Sequence, residues 1–168
     1  MTPLLLPLGI FVFALIYAAF SDARAMTISN RISLAIIVAF ALATPLAWES
    51  WAMFGQHMGV GLVFFVAGFA MFAVGGLGGG DAKLMAATAL WWSWGDALMY
   101  VFYTTLFGGL LALFLMLGKK YIPVRVATSG LVGQMFTETK KMPYGIALAA
   151  GALMVLPGSD LVQRALFG

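Results

Sequence analysis

Two aspartates, Asp22 and Asp81, carry the chemistry that this sequence offers. Asp22 ends the first apolar stretch, and Asp81 follows a glycine run in "GGLGGGDAKL" (75–84), between two further apolar stretches. Two carboxylates at one depth suit water-activated peptide hydrolysis, in which an ionised one takes a proton from water and a protonated one polarises the scissile carbonyl. Because like charges a few ångströms apart do not both ionise cheaply, such a pair tends to share one proton. Asp22 and Asp81 are therefore the predicted catalytic pair.

The composition indicates the class of protein that must position this pair. Of the 168 residues, 63% are hydrophobic and 9% are charged, whereas a soluble domain carries roughly 25% charged residues. The sequence therefore predicts an all-α, polytopic integral membrane bundle with a single domain over 1–168. The net charge of +3 does not indicate nucleic-acid binding in such a protein, because the placement of charge matters more than its sum.

Metal and thiol chemistry are not expected. The chain has no cysteine, which excludes disulfides, thiolate metal sites and a cysteine nucleophile. Its single histidine, His57, does not form a metal site by itself, and we expect it at the membrane interface. No metal or cofactor is predicted.

Six apolar segments are candidate membrane spans, since a helix needs about 20 residues to cross the bilayer. The fourth is short, and the glycine run before it indicates a helix that begins below the membrane surface, where its backbone must face protein or water. The predicted spans are 3–20, 32–48, 58–77, 82–95, 97–118 and 142–158.

Charge placement predicts the orientation. If six spans alternate, eight of the nine basic residues fall on one side, five of them in the loop 119–141, and only Arg164 falls on the other. The positive-inside rule then places both termini outside and the loop 119–141 in the cytoplasm. All five tryptophans fall at the opposite interface, as an aromatic belt would. Asp22 and Asp81 both lie at the cytoplasmic ends of spans in this topology.

Each motif also has a plain structural interpretation. Asp22 alone fits a helix-end carboxylate paired with Arg24 or Arg31, and Asp81 fits the N-cap of span 4. The glycines 78–80 either allow close helix packing or leave backbone groups bare, so that an extended substrate pairs with them. Pro143 fits an ordinary helix start, or it forms a wall of the active site with Tyr144.

Three segments together resemble the type IV prepilin peptidases, a family of GxGD-type membrane aspartic proteases. "GGGDAKL" (78–84) is similar to the family's Gly-x-Gly-Asp motif, and "DARAMTISNRIS" (22–33) resembles its first motif, with Ser29 where many relatives have proline. "MPYGIAL" (142–148) resembles its third, Pro-aromatic-Gly motif. The long insertion with paired Cys-x-x-Cys motifs of the larger members is absent. The chain thus resembles the small peptidases of Flp or tight-adherence pili, and methylation of the new pilin N-terminus is not implied.

The resemblance implies an endopeptidase of the bacterial inner membrane that cuts the cytoplasmic leader from prepilins or pseudopilins. Asp22 and Asp81 would be catalytic, and Lys83 would pair with an acidic residue near the start of the mature pilin helix. The other residues expected at the substrate are Gly78, Gly79, Gly80, Pro143, Tyr144 and Gly145. Membrane lipid and pilus or secretion assembly proteins are the further expected partners.

Two other functions stay open at this point. Intramembrane carboxylates and broken helices also occur in small ion-coupled transporters, although these usually carry internal repeats and ionisable groups at the bilayer midplane. A non-catalytic scaffold for a membrane assembly is the second alternative. In a scaffold, Asp22 and Asp81 are caps, and changing either to asparagine has a mild effect.

Overall fold

The computed structural model describes residues 3–48, 50–121 and 142–167, and within these ranges it is helical, with no β-strand. This confirms the predicted all-α architecture. Short 3-10 helices follow α2 (Thr44–Leu46) and α6 (Leu156–Gly158). The α-helices are α1 (Leu5–Ala25), α2 (Asn30–Ala43), α3 (Trp51–Ala73), α4 (Gly79–Ala89), α5 (Trp94–Tyr121), α6 (Tyr144–Val155) and α7 (Asp160–Phe167).

Within the described ranges, four helical segments are long and apolar enough to cross a membrane: α1, α3, residues 94–118 of α5, and the stretch 144–164 through α6 and α7. The predicted span 32–48 corresponds to the shorter apolar helix Asn30–Leu46. Their outward faces expose large apolar side chains such as Phe13, Phe69 and Met116, as expected of helices that face lipid. The 11 residues of α4 rise only roughly 16 Å, so this predicted span is a short inner helix. The chain is therefore a membrane protein in which α4 depends on its neighbours.

Local signals set the beginnings of the helices that approach the site. Ser29 is the N-cap of α2, and its hydroxyl accepts a hydrogen bond from the Arg31 N–H at 3.3 Å. Ser29 therefore starts the helix by side-chain capping. The N-cap of α4 is Gly78. The alternative interpretation of Asp81 as the N-cap of α4 is wrong, because the helix begins two residues before Asp81.

The bundle packs around α4 and α6. Helices α2, α3 and α6 each pack against α4, while α1 and α5 both pack against α6. The buried core between them is largely aromatic and branched aliphatic, and includes Phe11, Ile36, Leu84 and Tyr100. This arrangement brings the end of α1 and the beginnings of α4 and α6 to one end of the bundle.

Two tryptophans predicted for the aromatic belt are core residues. Trp91 and Trp92 are fully buried, and Trp91 stacks on Phe11 with 4.2 Å between ring centroids. The Trp91 indole N–H donates to the Ile36 carbonyl at 3.3 Å, which satisfies its polar group inside the bundle. Trp48, Trp51 and Trp94 are exposed, and their place in the aromatic belt stays a prediction.

His57 is also buried inside the bundle, and its depth in the membrane stays a prediction. His57 is 2% exposed, and its Nδ1 lies 2.9 Å from the Leu90 carbonyl oxygen. Residues 119–121 of the predicted loop 119–141 continue α5. The remainder of that loop lies outside the described residues.

Candidate active site

A cavity of about 570 Å³ at one end of the bundle contains both aspartates. Segments from all three sequence motifs line it: Asp22 with residues 26–28, the glycine run 75–80 with Asp81, and Met142 with Tyr144. Asp22 and Asp81 are 4% and 9% exposed, and their carboxylates interact electrostatically. Residues that are 59 positions apart in the sequence are thus brought to one small space, as predicted.

Asp22 lies in the last turn of α1 and contacts the beginning of α6. Its Oδ2 accepts a hydrogen bond from the Gly145 N–H at 2.7 Å. This N–H belongs to the first turn of α6, where backbone donors have no partner within the helix. The Asp22 carboxylate therefore caps another helix, and the hydrogen bond fixes the orientation of its side chain.

Gly145 permits this contact because it has no side chain. A Cβ at this position would lie 2.9 Å from Asp22 Oδ2 and 2.7 Å from Ile28 Cδ1, distances that require other atoms to move. Pro143 precedes it as the buried N-cap of α6. Of the third motif, Tyr144 lines the cavity, whereas Pro143 and Gly145 position α6 and Asp22 behind it.

Asp81 is held by its own loop. It is the third residue of α4, and its carboxylate folds back over Gly78, whose backbone N–H interacts with it. Glycine at 78 allows this, since a Cβ there would lie 2.7 Å from Asp81 Oδ2. The other carboxylate oxygen, Oδ1, is buried and has no hydrogen-bond partner in the described part of the chain. A buried carboxylate oxygen without a partner is available to a ligand.

The remaining glycines of the motif are closely packed. A Cβ on Gly80 would lie 3.1 Å from both the backbone oxygen and the Cβ of Ile28, and one on Gly79 would lie 3.2 Å from Phe72. Gly80 therefore lets the start of α4 approach the connection between α1 and α2, and Gly79 lets it approach Phe72 of α3. Both residues also line the cavity, and their contact with substrate stays a prediction.

Ile28 is a site residue that the sequence reasoning did not single out. It lines the cavity and lies against the beginnings of both α4 and α6, next to Gly80 and Gly145. The turn that carries it is held by the Ser21 hydroxyl, which donates to the Thr27 carbonyl at 2.8 Å. Its place between Asp22 and Asn30 in the first motif was the signal that could have identified it.

Lys83 is not brought into this cavity. Residues two apart in an α-helix differ by about 200° in direction, so Lys83 and Asp81 lie on opposite sides of α4. Lys83 Nζ donates instead to Asn30 Oδ1 at 2.9 Å. Its predicted contact with the substrate stays a prediction, and it concerns a different part of the surface.

The two carboxylates of this cavity can by themselves perform one kind of chemistry, the transfer of protons. Two buried carboxylates that face one cavity and interact electrostatically hold one proton more readily than two negative charges. One carboxylate can then accept a proton from water while the other donates one. Elsewhere in the described ranges, no three acidic, histidine or cysteine side chains form a group that could hold a metal ion.

Comparison with known proteins identifies a family. The model of the type IV leader peptidase family matches residues 9–113, more than half of the chain. No curated protein and no solved structure shows a significant match. The matched range includes Asp22, Asp81 and the glycine run, and it ends before the segment 142–148.

Proposed function

Because this chain belongs to the type IV leader peptidase family, we propose that it cleaves the leader peptide from prepilins or pseudopilins, with Asp22 and Asp81 as its catalytic pair. The observation that carries the proposal is the shared cavity, in which both carboxylates are buried beside the glycine run. A pair of acidic residues that served only as helix caps would not need to face one cavity.

The environments of the two carboxylates support different roles. Asp22 accepts a 2.7 Å hydrogen bond from a backbone N–H, which stabilises its ionised form. Asp81 Oδ1 has no partner among the described residues, so a proton there leaves no buried negative charge unpaired. We assign the base to Asp22 and the acid to Asp81.

Hydrolysis then proceeds in two balanced steps. Asp22 takes a proton from water as the water oxygen attacks the scissile carbonyl carbon, and Asp81 gives its proton to the carbonyl oxygen. The tetrahedral intermediate collapses when Asp22 passes its proton to the leaving nitrogen and the C–N bond breaks. Asp81 recovers its proton from the hydroxyl as the new carboxyl group forms. The pair ends in its starting state.

The substrate's backbone is proposed to lie against the glycine run. Gly78, Gly79 and Gly80 line the cavity beside Asp81, and Tyr144 lines it beside Asp22. Lys83 is the least supported member of the predicted substrate-binding set, since it faces away from the cavity. A Lys83→Glu variant that processes prepilin at the full rate would remove it from the set.

The proposed location is the bacterial inner membrane with the cavity facing the cytoplasm. Arg24 and Arg31 lie beside the cavity end of the bundle, and most other basic residues fall on the same side in the predicted topology. The positive-inside rule then supports an outside N-terminus. A prepilin leader in the cytoplasm would meet the site directly.

Cleavage of a co-expressed prepilin, read as a mobility shift, tests the proposal. We expect the wild-type chain to cut, and Asp22→Asn and Asp81→Asn to lose cleavage by roughly 10²-fold or more at matched membrane levels. Asp160→Asn is the control, because Asp160 is an exposed aspartate outside the cavity. Equal cleavage by all variants would favour the scaffold alternative instead.

A further inference from the structure

A second cavity, of about 630 Å³, lies between α2, α3 and α4. Helices α2 and α3 both pack on α4, so α4 forms the floor of this groove. Its walls are Leu34 and Ile37 from α2 and Leu62 and Phe65 from α3, each at least 42% exposed. In a membrane protein, an open apolar groove of this kind faces the lipid.

The groove is polar at one end. Lys83 and Asn30 line it there, joined by the 2.9 Å hydrogen bond between Nζ and Oδ1. Among the described residues that line the groove, Lys83 is the only charged one. The amide oxygen of Asn30 orients the ammonium group without neutralising it, so the groove end keeps a net positive charge.

A buried hydroxyl without a partner lies one turn further along. Ser33 lines the groove and is 7% exposed, and its Oγ is buried without a hydrogen-bond partner among the residues described. A serine within a helix often donates to the carbonyl four residues earlier, but Ser33 does not. Since buried polar groups are normally paired, this hydroxyl indicates a ligand with a polar atom at that depth.

Two helix stripes repeat the same order of chemistry. The stripe on α2 consists of residues with the i, i+3, i+4, i+7 spacing of one helix face, namely Asn30, Ser33, Leu34 and Ile37. Each of the two stripes begins with a polar residue and ends with an apolar one. The matching stripe on α4 is Lys83, Ala86, Ala87 and Leu90. The hydrogen bond between Lys83 and Asn30 aligns the polar ends of the two stripes.

We propose that this groove binds one anionic phospholipid. The lipid phosphate lies at Lys83 and Asn30, an ester oxygen accepts from the Ser33 hydroxyl, and an acyl chain follows the apolar walls toward Leu90. The order of groups in a phospholipid matches the order along the stripes. Basic pockets between membrane helices bind acidic headgroups in the same way. The site is separate from the aspartates, which lie on the other side of α4.

The test is native mass spectrometry of the purified full chain in a neutral detergent, titrated with phosphatidylglycerol and, for comparison, phosphatidylcholine. We expect one phosphatidylglycerol to bind at least ten-fold more tightly than phosphatidylcholine. Lys83→Gln should weaken this binding at least ten-fold, whereas Arg31→Gln should change it less than two-fold. Arg31 is the matched control, because it is an exposed cation next to Asn30 that does not line the groove.

Two further variants examine the rest of the groove. Ser33→Ala should weaken binding about three-fold, and Ala86→Leu, which fills the floor and keeps the charge, should weaken it about ten-fold. Equal binding of both lipids, or equal losses in Lys83→Gln and Arg31→Gln, would overturn the proposal. Displacement of the lipid by inorganic phosphate alone would overturn it as well, by assigning the site to phosphate.

The outcome is independent of the proposed peptidase activity. Asp22→Asn should bind phosphatidylglycerol like the wild-type chain, since Asp22 does not line the groove. If Lys83→Gln lowers prepilin cleavage and leaves lipid binding unchanged, the groove belongs to the substrate and the lipid assignment is wrong. If lipid binding falls as predicted while no prepilin is cut by the wild-type chain, the lipid site stands without the peptidase.

Discussion

The two aspartates reach the same cavity by opposite means. Asp22 is held by a tertiary contact, because its carboxylate bonds to the backbone of Gly145, 123 residues away. Asp81 is held by its own glycine loop and keeps one buried oxygen without a partner in the residues described. One half of the proposed pair therefore depends on how the bundle packs, and the other on local backbone conformation.

This difference is informative about what each motif contributes. The segment 142–148 supplies the group that orients Asp22, and the glycine run supplies the space that orients Asp81. Ile28 lies between them and contacts both helix beginnings. Substitutions near Asp22 should lower the cleavage rate by disturbing the packing of the helices. Substitutions near Asp81 should lower it by disturbing the glycine loop.

The largest packing effect is expected at Gly145. Gly145→Ala would place a Cβ 2.9 Å from Asp22 Oδ2 and 2.7 Å from Ile28 Cδ1, so α6 or Asp22 must move. A displacement of about 1 Å in a catalytic group costs on the order of 10²-fold in rate. We expect a loss of that size in prepilin cleavage, measured as the initial rate in membranes.

The control for Gly145→Ala is Gly9→Ala. Gly9 is also in a helix, and nothing lies within 4 Å of a Cβ added there, so this variant should cut normally. Full activity of Gly145→Ala at wild-type expression would show that the contact with Asp22 does not matter for catalysis.

A smaller loss is expected on the Asp81 side, from Gly80→Ala. The added Cβ would lie 3.1 Å from the Ile28 backbone oxygen, and the connection 26–29 must shift by a few tenths of an ångström to admit it. We expect a roughly ten-fold lower cleavage rate, since the misplacement is smaller than at Gly145. If Gly80→Ala lowered the cleavage rate as much as Gly145→Ala does, it would contradict the view that helix packing holds Asp22 whereas a local loop holds Asp81.

The two aspartates should also differ in how much each contributes to the stability of the fold. Asp22→Ala leaves the Gly145 N–H buried without its acceptor, which costs about 1–3 kcal/mol. Asp81→Ala removes the acceptor of the Gly78 N–H, but Gly78 is exposed, so water can replace that acceptor. The other oxygen that this variant removes is buried without a partner in the described ranges, so the variant should lower the free energy of unfolding by less than Asp22→Ala does. Reversible unfolding of both variants in detergent measures the difference, and the reverse order would contradict the account of how each is held.

The smallest effect is expected at Ser29, beside the cavity but outside it. Ser29→Ala removes the N-cap hydroxyl of α2, which should cost about 1 kcal/mol of stability with little change in cleavage rate. Ser29→Asp, which keeps an N-cap acceptor, should restore the stability. A strong loss of cleavage in Ser29→Ala at wild-type stability would mean that the α1–α2 turn acts in catalysis directly.

The sequence predicted the helices and the shared position of the aspartates from general rules. The positions of the long apolar helices follow from hydropathy, and the short fourth helix follows from the glycine run, whereas the depth of Asp22 and Asp81 in a membrane stays a prediction. The N-cap of α4 was misplaced because aspartate favours both the N-cap and the first turn. Only the structure distinguishes these positions, which lie three residues apart.

The sequence did not predict which side of each helix packs in the core. Membrane helices are apolar all round, so their periodicity does not separate the lipid face from the core, and buried Trp91, Trp92 and His57 looked interfacial. The bond from Gly145 to Asp22 joins distant segments, which local patterns do not report. The resemblance assigns Lys83 to the substrate, but sequence proximity to Asp81 does not show which way its side chain points, and the two residues lie on opposite faces of α4.

The central claim, that Asp22 and Asp81 act as one catalytic pair, is tested most directly by comparing Asp22→Asn, Asp81→Asn and the double variant in prepilin cleavage. Groups that act as a unit are strongly non-additive, so we predict that the double variant cleaves no more slowly than the slower single variant. If the two losses instead multiply, the aspartates contribute independently, and the shared-proton mechanism is contradicted.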